Sequence, residues 1–387
     1  MNCRAFSLYS LFALLPLVLL SQNKRIDSLE GVVANTPPGE PLLRTYRTLI
    51  EELARVNQPK AKQAAHQSLA LATEMQLPSY QSAAYSWLVT LNQDMGMADS
   101  AAWYLERFEA FANGYQGELH NKVQGNYHQA AGLFYKNRGN VKAAVPHQQA
   151  AIKYGNLAGD KTFEAGMHLN LGNTYSEMGM HQPALNSKLA ALKLFEQLGN
   201  ERGQSFCLNG IGITFYHLRQ YERALVYARR SLEMKEKFKD PRGIQTAYSL
   251  LGEVYAGMNN FAEAEKAYNE SLRLASELKQ VKPMAQTHYN KGMLYKALKI
   301  DSLAVVHFEQ AMVFAQQSAD TGVYAMARRE KLGLEQGRIA AGRQESAIHE
   351  SLKLSQSAGR LQEQMASHQQ LAGFYSKHGK ATFTKII

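Results

Sequence analysis

Residues 168–175 read HLNLGNTY, and the glycine of this stretch is followed three residues later by an aromatic ring. The same pair returns every forty residues, and an alanine follows each glycine at a distance of twelve residues. A glycine, an aromatic residue and an alanine at fixed offsets over five rows indicate repeated copies of one structural unit. The glycines are Gly132, Gly172, Gly212, Gly252 and Gly292, with Tyr135, Tyr175, Phe215, Tyr255 and Tyr295 as the rings and Ala144, Ala184, Ala224, Ala264 and Ala304 as the alanines.

Each forty-residue row predicts two helices of about 16–18 residues that pack as a hairpin. Small residues such as glycine and alanine are needed where the two helix backbones approach each other. Further small residues follow seven positions after each alanine. Turn residues and helix N-caps separate the helices. The predicted turns are Gly139, Gly179, Asn259–Asn260 and Gly379, and the predicted caps are Asp160, Asn200, Asp240 (followed by Pro241) and Asp320.

This pattern resembles the tetratricopeptide repeat (TPR). The resemblance implies an all-α fold, a right-handed superhelical solenoid of antiparallel helical hairpins. The chain departs from the usual repeat of about 34 residues, and the usual tryptophan column holds His128, His168, Leu208, Tyr248 and His288. Rows of forty residues are similar to the variant found in kinesin light chains and in the extracytoplasmic sensory region of bacterial TPR-containing signalling proteins.

The repeats divide the chain into five segments. We assign residues 1–22 to a secretory signal peptide and residues 23–42 to a leader, where three prolines discourage a continuous helix. Residues 43–120 read as divergent TPR-like hairpins, and residues 121–360 as six forty-residue repeats. Residues 361–387 form an incomplete final repeat, so we expect the chain to be truncated relative to its relatives.

The N-terminus has the pattern of an export signal. Arg4 precedes an almost wholly apolar run from residue 5 to residue 20, and a polar stretch begins abruptly at Ser21. The run is short for a membrane span, which needs about 20 apolar residues. We therefore expect a periplasmic or secreted protein. The alternative is an uncleaved segment that tethers the chain to the membrane.

Composition points away from nucleic acid as a partner. The net charge is +10, but the basic residues are scattered and their densest runs are pairs. The chain has two cysteines, Cys3 in the predicted signal and Cys207 in an apolar stretch. We expect Cys207 to fill the core rather than to act as a nucleophile.

The resemblance also implies a binding surface, because residues just before and after the motif glycine line the concave groove of TPR proteins. We expect a protein or peptide partner there. Asparagine suits such a groove since its side chain both donates and accepts hydrogen bonds. The candidate groove residues are Gln129, Asn170, Asn173, Asn209, Ser249, Glu253, Tyr289 and Asn290.

No motif indicates catalysis, a cofactor or a metal site. The histidines of the tryptophan column lie in different repeats, too far apart for one ion, and we expect them to pack as side chains. The sequence therefore predicts a non-catalytic binding scaffold. The alternative is the sensory region of a membrane-bound histidine kinase or transcription regulator, truncated before its output domain.

Overall fold

A computed structural model describes residues 14–335 and 341–378. Within those residues the chain forms eighteen helices and no strand, which confirms the all-α, TPR-like class. Residues 1–167 and 168–387 form two compact units, and the boundary between them falls inside the eighth helix.

Consecutive helices pair as hairpins in each unit. The helices of the first unit (unit 1) are α1 (Leu14–Asn35), α2 (Glu40–Leu53), α3 (Gln58–Glu74), α4 (Pro78–Asp94), α5 (Ala98–Gly114), α6 (His120–Asn137) and α7 (Val141–Leu157). The boundary helix is α8 (Lys161–Glu177). The second unit (unit 2) continues with α9 (His181–Gln197), α10 (Glu201–His217), α11 (Tyr221–Lys237), α12 (Pro241–Gly257), α13 (Phe261–Glu277), α14 (Val281–Ala297), α15 (Asp301–Gln317), α16 (Thr321–Leu334), α17 (Ala341–Ser357) and α18 (Leu361–His378).

From α6 to α16, successive helices are joined by three-residue turns of one kind. At the end of α6, Gly139 has a φ of 74°, its N–H bonds the carbonyl of Lys136, and the N–H of Asn140 bonds the carbonyl of Tyr135. This pair of bonds closes a helix through a left-handed residue. Asn140 then caps α7, since its side chain accepts from the N–H of Ala143. One short turn thus satisfies both helix ends, and the predicted turn at Gly139 is confirmed.

The left-handed position recurs every twenty residues from 139 to 319, and glycine holds only part of it. Gly179 and Asn259 are confirmed as turn residues with φ of 71° and 58°. The predicted turn at Gly379 lies outside the described residues. The other positions in this series are Gly159, Gly199, Arg219, Lys239, Lys279, Lys299 and Ala319.

Three of the four predicted N-caps make the expected bond. Asp160, Asn200 and Asp320 accept from the backbone N–H three residues on, at 2.9, 2.9 and 3.0 Å. Asp240 stands at the N-cap of α12 but makes no capping bond, so that prediction is wrong. The charge of Asp240 acts instead on the buried ammonium of Lys235, whose pKa it raises against the effect of burial.

The motif glycines leave room for a large side chain of the partner helix. A Cβ added at Gly172 would lie 2.7 Å from Cγ of Lys188, and one added at Gly292 would lie 2.5 Å from the ring of Phe308. Each of these side chains stands sixteen residues after its glycine. The space beside the glycine, which we call the socket, thus holds a large side chain of the second helix. The two helices approach closely there, as the sequence predicts.

The small residues of these columns are buried between the two helices of each hairpin, as predicted. Ala144, Ala184, Ala224, Ala264 and Ala304 are all fully buried, and so are the small residues seven positions further on, including Ser231 and Ser271. Side chains of this size allow two helix axes to approach to the lower end of the usual range of about 8–10 Å.

The segment assigned to a leader is largely helical. Residues 23–35 continue α1, and Ile26 is buried in a cluster with Leu49 and Ile50 of α2. The segment assigned to a leader is therefore helical over these residues. The prolines do interrupt the helix, since residues 36–39 are not helical and α2 starts at Glu40. None of the described helices is both long enough and apolar enough to cross a membrane.

The socket can be tested with two glycine substitutions of opposite expected sign. Gly292→Ala places a methyl group against the fully buried ring of Phe308, so we expect a loss of about 1–3 kcal/mol in the free energy of unfolding. Gly166→Ala in α8 meets nothing within 4 Å and should stabilise by about 0.5–1 kcal/mol because alanine is the better helix former. Urea denaturation followed by circular dichroism measures both. Equal effects of the two changes would contradict the socket.

Candidate functional site

The first helices of the hairpins form the inner layer of unit 2. Each of α10, α12, α14 and α16 contacts the next first helix as well as its own second helix. Successive second helices make no comparable contact within the described part of the unit. The first helices are therefore the more closely spaced layer, and their free faces make one continuous surface, which we name the inner face.

Seven of the eight predicted groove residues lie on first helices of unit 2. Gln129 lies on α6 in unit 1, where it is half-buried. Asn170 is exposed, and the other six residues of unit 2 are half-buried. The placements are Asn170 and Asn173 on α8, Asn209 on α10, Ser249 and Glu253 on α12, and Tyr289 and Asn290 on α14.

Two of these residues meet across neighbouring first helices. Asn290 donates from Nδ2 to Oε1 of Glu253 at 2.7 Å, and its own Oδ1 accepts from Nε2 of Gln286 at 3.0 Å. The amide of Asn290 is therefore engaged at both ends. It positions the carboxylate of Glu253, which joins α12 to α14.

Asn209 is oriented by a lysine that the sequence reading did not single out. Lys235 on α11 is 3% exposed, and its Nζ donates to Oδ1 of Asn209 at 3.1 Å and to Oγ1 of Thr246 at 3.2 Å. The lysine thus reaches from the second helix to side chains of α10 and α12. Because it occupies the carbonyl oxygen of Asn209, the amide group is left as a donor.

Several predicted residues keep free hydrogen-bonding capacity. The side chains of Asn170, Asn173, Ser249 and Tyr289 make no hydrogen bond to any residue in the described ranges, and neither does Nδ2 of Asn209. A polar group that is half-buried without a partner gains most from a ligand that supplies one. The inner face of unit 2 therefore offers free donors and acceptors on α10, α12 and α14, and Asn170 and Asn173 on α8 are further free polar groups of the unit.

Three tyrosines on α10, α13 and α14 have raised pKa values. Burial raises the pKa of Tyr216 on α10 to about 12, with a smaller contribution from the charge of Glu253. Burial also raises the pKa of Tyr268 on α13 and of Tyr289 on α14 above their ordinary value of 10. These tyrosines stay neutral at physiological pH. They supply apolar surface and hydroxyl groups rather than charge.

A second buried lysine lies one repeat earlier. Lys188 on α9 is 2% exposed and donates from Nζ to Ser176, Thr214 and the carbonyl of Gly210, at 2.8, 3.0 and 3.2 Å. Burial lowers its pKa to about 8, and the pKa of Lys235 also falls to about 8 for the same reason. A buried lysine whose hydrogen-bond acceptors are all neutral is uncommon in proteins, and no sequence motif predicts its position.

Cys207 is confirmed as a core residue. Its side chain is fully buried, and burial raises the pKa of its thiol to about 12. A nucleophilic cysteine needs a thiolate and access to substrate, and this thiol has neither.

Two of the three histidines of the tryptophan column, His128 and His288, take part in equivalent pairs. Nδ1 of His128 lies 3.0 Å from Nδ1 of His147, and Nδ1 of His288 lies 3.0 Å from Nδ1 of His307. The two pairs are separated by four repeats. In each pair one ring must donate and the other accept, so at most one Nδ1 carries the shared proton.

Each histidine pair is enclosed by aromatic rings. Phe314 stacks on His288 and Tyr295 on His307, with ring centroids 5.4 and 5.2 Å apart. The packing role predicted for these column histidines is confirmed for His128 and His288. Among the described residues, no group of three or more side chains is arranged to hold a metal ion.

The comparisons with known proteins agree with this geometry. The sequence profile of the tetratricopeptide repeat family matches residues 163–237 and 245–278. The chain therefore contains tetratricopeptide repeats, and the recognition made from the motif columns is confirmed. A comparison with curated protein sequences finds no match.

Several solved structures are similar in fold to most of this chain. The apo form of the quorum sensor NprR from B. thuringiensis is 16% identical, covers 88% of this chain and 95% of its own, and has a TM-score of 0.61. NprR in complex with its cognate peptide NprX has the same identity and score, covering 89% and 95%. A Rap protein complexed with competence and sporulation factor is 15% identical, covers 87% and 99%, and has a TM-score of 0.58. These similarities show a TPR-like helical solenoid.

The histidine pairs predict a loss of stability in mild acid. Burial lowers the pKa of His288 and of His307 to about 4, so the unfolded chain binds more protons than the folded chain between pH 6.5 and about 4. Stability should fall as pH falls through this window. The double change His288→Phe and His307→Phe keeps the ring stacking and should flatten the dependence, measured as the melting temperature against pH. His368→Phe on α18, outside both pairs, is the control, and an equal flattening there would contradict the assignment.

Proposed function

We propose that this chain is an exported, non-catalytic TPR scaffold that binds an extended peptide or protein segment along the inner face of unit 2. The observation that carries the proposal is the row of half-buried polar side chains on α8, α10, α12 and α14. Four groups of this row have no hydrogen-bond partner among the described residues: the side chains of Asn173, Ser249 and Tyr289, and Nδ2 of Asn209.

The spacing of the helices suits an extended ligand. Neighbouring packed helices lie about 8–10 Å apart, and an extended chain advances about 3.3 Å per residue. A peptide that crosses the first helices therefore presents about every third residue to the next helix. Its backbone carbonyls find a donor in the amide of Asn209, which Lys235 holds in that orientation, and further polar groups at Asn173 and Ser249.

The solved structures of this fold support the proposal. NprR is described in complex with its cognate peptide, and a Rap protein in complex with competence and sporulation factor. Both are similar to this chain in fold at low sequence identity. The likeness makes a peptide the first class of ligand to test.

The chemistry of the described residues supports a binding role over a catalytic one. The thiol of Cys207 is sealed from solvent, and the paired histidines hydrogen-bond to each other inside aromatic stacks. Export rests on the apolar run at residues 5–20. Mass spectrometry of the N-terminus of the protein recovered from an extracytoplasmic fraction tests that part, and an intact, intracellular N-terminus would contradict it.

A pair of serine substitutions tests where the ligand binds. Peptides selected from a displayed random library against the wild-type protein serve as the probe. Ser249→Arg places a long side chain on the inner face and should weaken their binding about tenfold or more, since it blocks the strip between Asn209 and Glu253. Fluorescence anisotropy of the labelled peptides measures the dissociation constant.

The matched control is Ser302→Arg, the same change at an exposed position of the second helix α15. It should leave the dissociation constant within about twofold, because it lies outside the inner layer. Binding that tolerates Ser249→Arg, or that fails equally in Ser302→Arg, would place the ligand elsewhere and overturn the proposed face.

A further inference from the structure

Glu253 is a carboxylate that the fold positions but does not neutralise. It lies on the inner face of α12, half-buried, with Oε1 accepting from Asn290 at 2.7 Å. Its other oxygen, Oε2, has no hydrogen-bond partner among the described residues. A half-buried carboxylate with one free oxygen is an incomplete arrangement, since carboxylates gain most from a full set of donors.

No cation of the described chain pairs with Glu253. Two lysines of α14 are engaged elsewhere, Lys291 with Oδ1 of Asn269 at 2.7 Å and Lys296 with Glu330 on α16 at 2.5 Å. Lys235 is engaged with Asn209 and Thr246. These cations therefore have other partners, and none of them forms an ion pair with Glu253.

The charge of Glu253 acts on two tyrosines of other helices, Tyr216 of α10 and Tyr268 of α13. Tyr268 is only 2% exposed, so the half-buried Tyr216 is the one of the two that can contribute aromatic surface beside a ligand. Aromatic faces attract cations, and they exclude water from an ion pair formed beside them. A carboxylate with aromatic neighbours is suited to a positively charged group that brings its own apolar stem, as the side chains of lysine and arginine do.

Two amides fix the carboxylate in this position. Gln286 donates to Asn290, which in turn donates to Glu253, so the chain of bonds runs along α14 and across to α12. The side chain is therefore held in one place before any ligand arrives, which reduces the entropy cost of binding. A carboxylate needed only for packing would not require such support, because a glutamine or an apolar residue would fill the same space.

We propose that Glu253 is the specificity-determining residue of the inner face and that it receives the positively charged side chain of a lysine or arginine in the bound peptide. This inference rests on the proposed function, since it assumes that a peptide occupies the inner face of unit 2. It adds the chemical class of that peptide: a segment with a basic residue where it passes α12, flanked by backbone that bonds the asparagines. Asn290 acts as a positioning residue for the carboxylate.

A library of blocked peptides tests the charge preference directly. The probes are N-acetylated, C-amidated nonapeptides in which only the central residue varies in charge: arginine, lysine, citrulline or glutamate, with uncharged residues elsewhere. Blocking both ends removes the terminal charges as an alternative source of the cation. We expect the wild-type protein to prefer central arginine or lysine over citrulline by about tenfold or more.

Three forms of the full chain are compared. Glu253→Gln keeps the size of the side chain and removes its charge, so the preference for arginine over citrulline should fall to about twofold or less. Glu233→Gln makes the same change at an exposed position of α11 and should keep the wild-type preference. Melting curves of all three forms verify that they fold.

Proton release gives a second measurement that a purely structural role would not change. Burial raises the pKa of Glu253 to about 7, while Tyr216 and Tyr268, which face it, remain neutral. A bound cation favours the carboxylate, so wild-type binding at pH 7 should release up to about half a proton. Calorimetry in two buffers of different ionisation enthalpy measures this release, and Glu253→Gln should abolish it.

The outcomes separate the two proposals. If peptides bind with no charge preference, or if the preference persists in Glu253→Gln, the assignment of Glu253 is wrong while the binding face stands. If none of the blocked peptides binds the wild-type protein, both the assignment and peptide binding at this face are overturned.

Discussion

The close approach of the two helices in each hairpin is the constraint on which the structure depends. In four of the hairpins a motif glycine on the first helix faces the side chain sixteen residues later on the second: Gln148, Lys188, Tyr268 and Phe308 against Gly132, Gly172, Gly252 and Gly292. The buried alanines of the second helices are small enough to let the two helix axes of a hairpin lie close together. Because this contact recurs with the same register, each hairpin presents its first helix in the same way. The inner face of unit 2 is a consequence of that repetition.

The same constraint explains why the fold could be predicted from the sequence. Glycine, aromatic and alanine columns are local signals with a fixed spacing, and they predicted two helices of about 16–18 residues in each row. The helices from α7 to α15 are each 17 residues long. The N-terminal part was harder, because prolines at 37, 38 and 41 marked a break correctly but said nothing of residues 23–35, whose helix is stabilised by burial of Ile26 against α2. Asp240 had the right residue type and position for a cap, but its side chain makes no capping bond.

The candidate site was only partly predictable. The resemblance to tetratricopeptide repeats, rather than the spacing itself, indicated which residues should line a common groove. The motif columns could not show that Asn290 and Asn209 are already engaged, because their partners Glu253 and Lys235 lie 37 and 26 residues away. They also did not reveal the histidine pairs, in which residues 19 apart meet across a hairpin. Pairing of this kind depends on side-chain direction, which spacing alone does not give.

The three-residue turn has a consequence for how such a chain acquires new partners. From α6 to α16 each helix is separated from the next by only a few residues, and a single left-handed position closes one helix before the next is capped. Many binding proteins diversify through long surface loops carried on a rigid scaffold. This scaffold has no such loops to lengthen over that stretch. Binding specificity in this stretch must therefore change through substitutions of single residues on the inner face, while the register between the hairpins is unchanged.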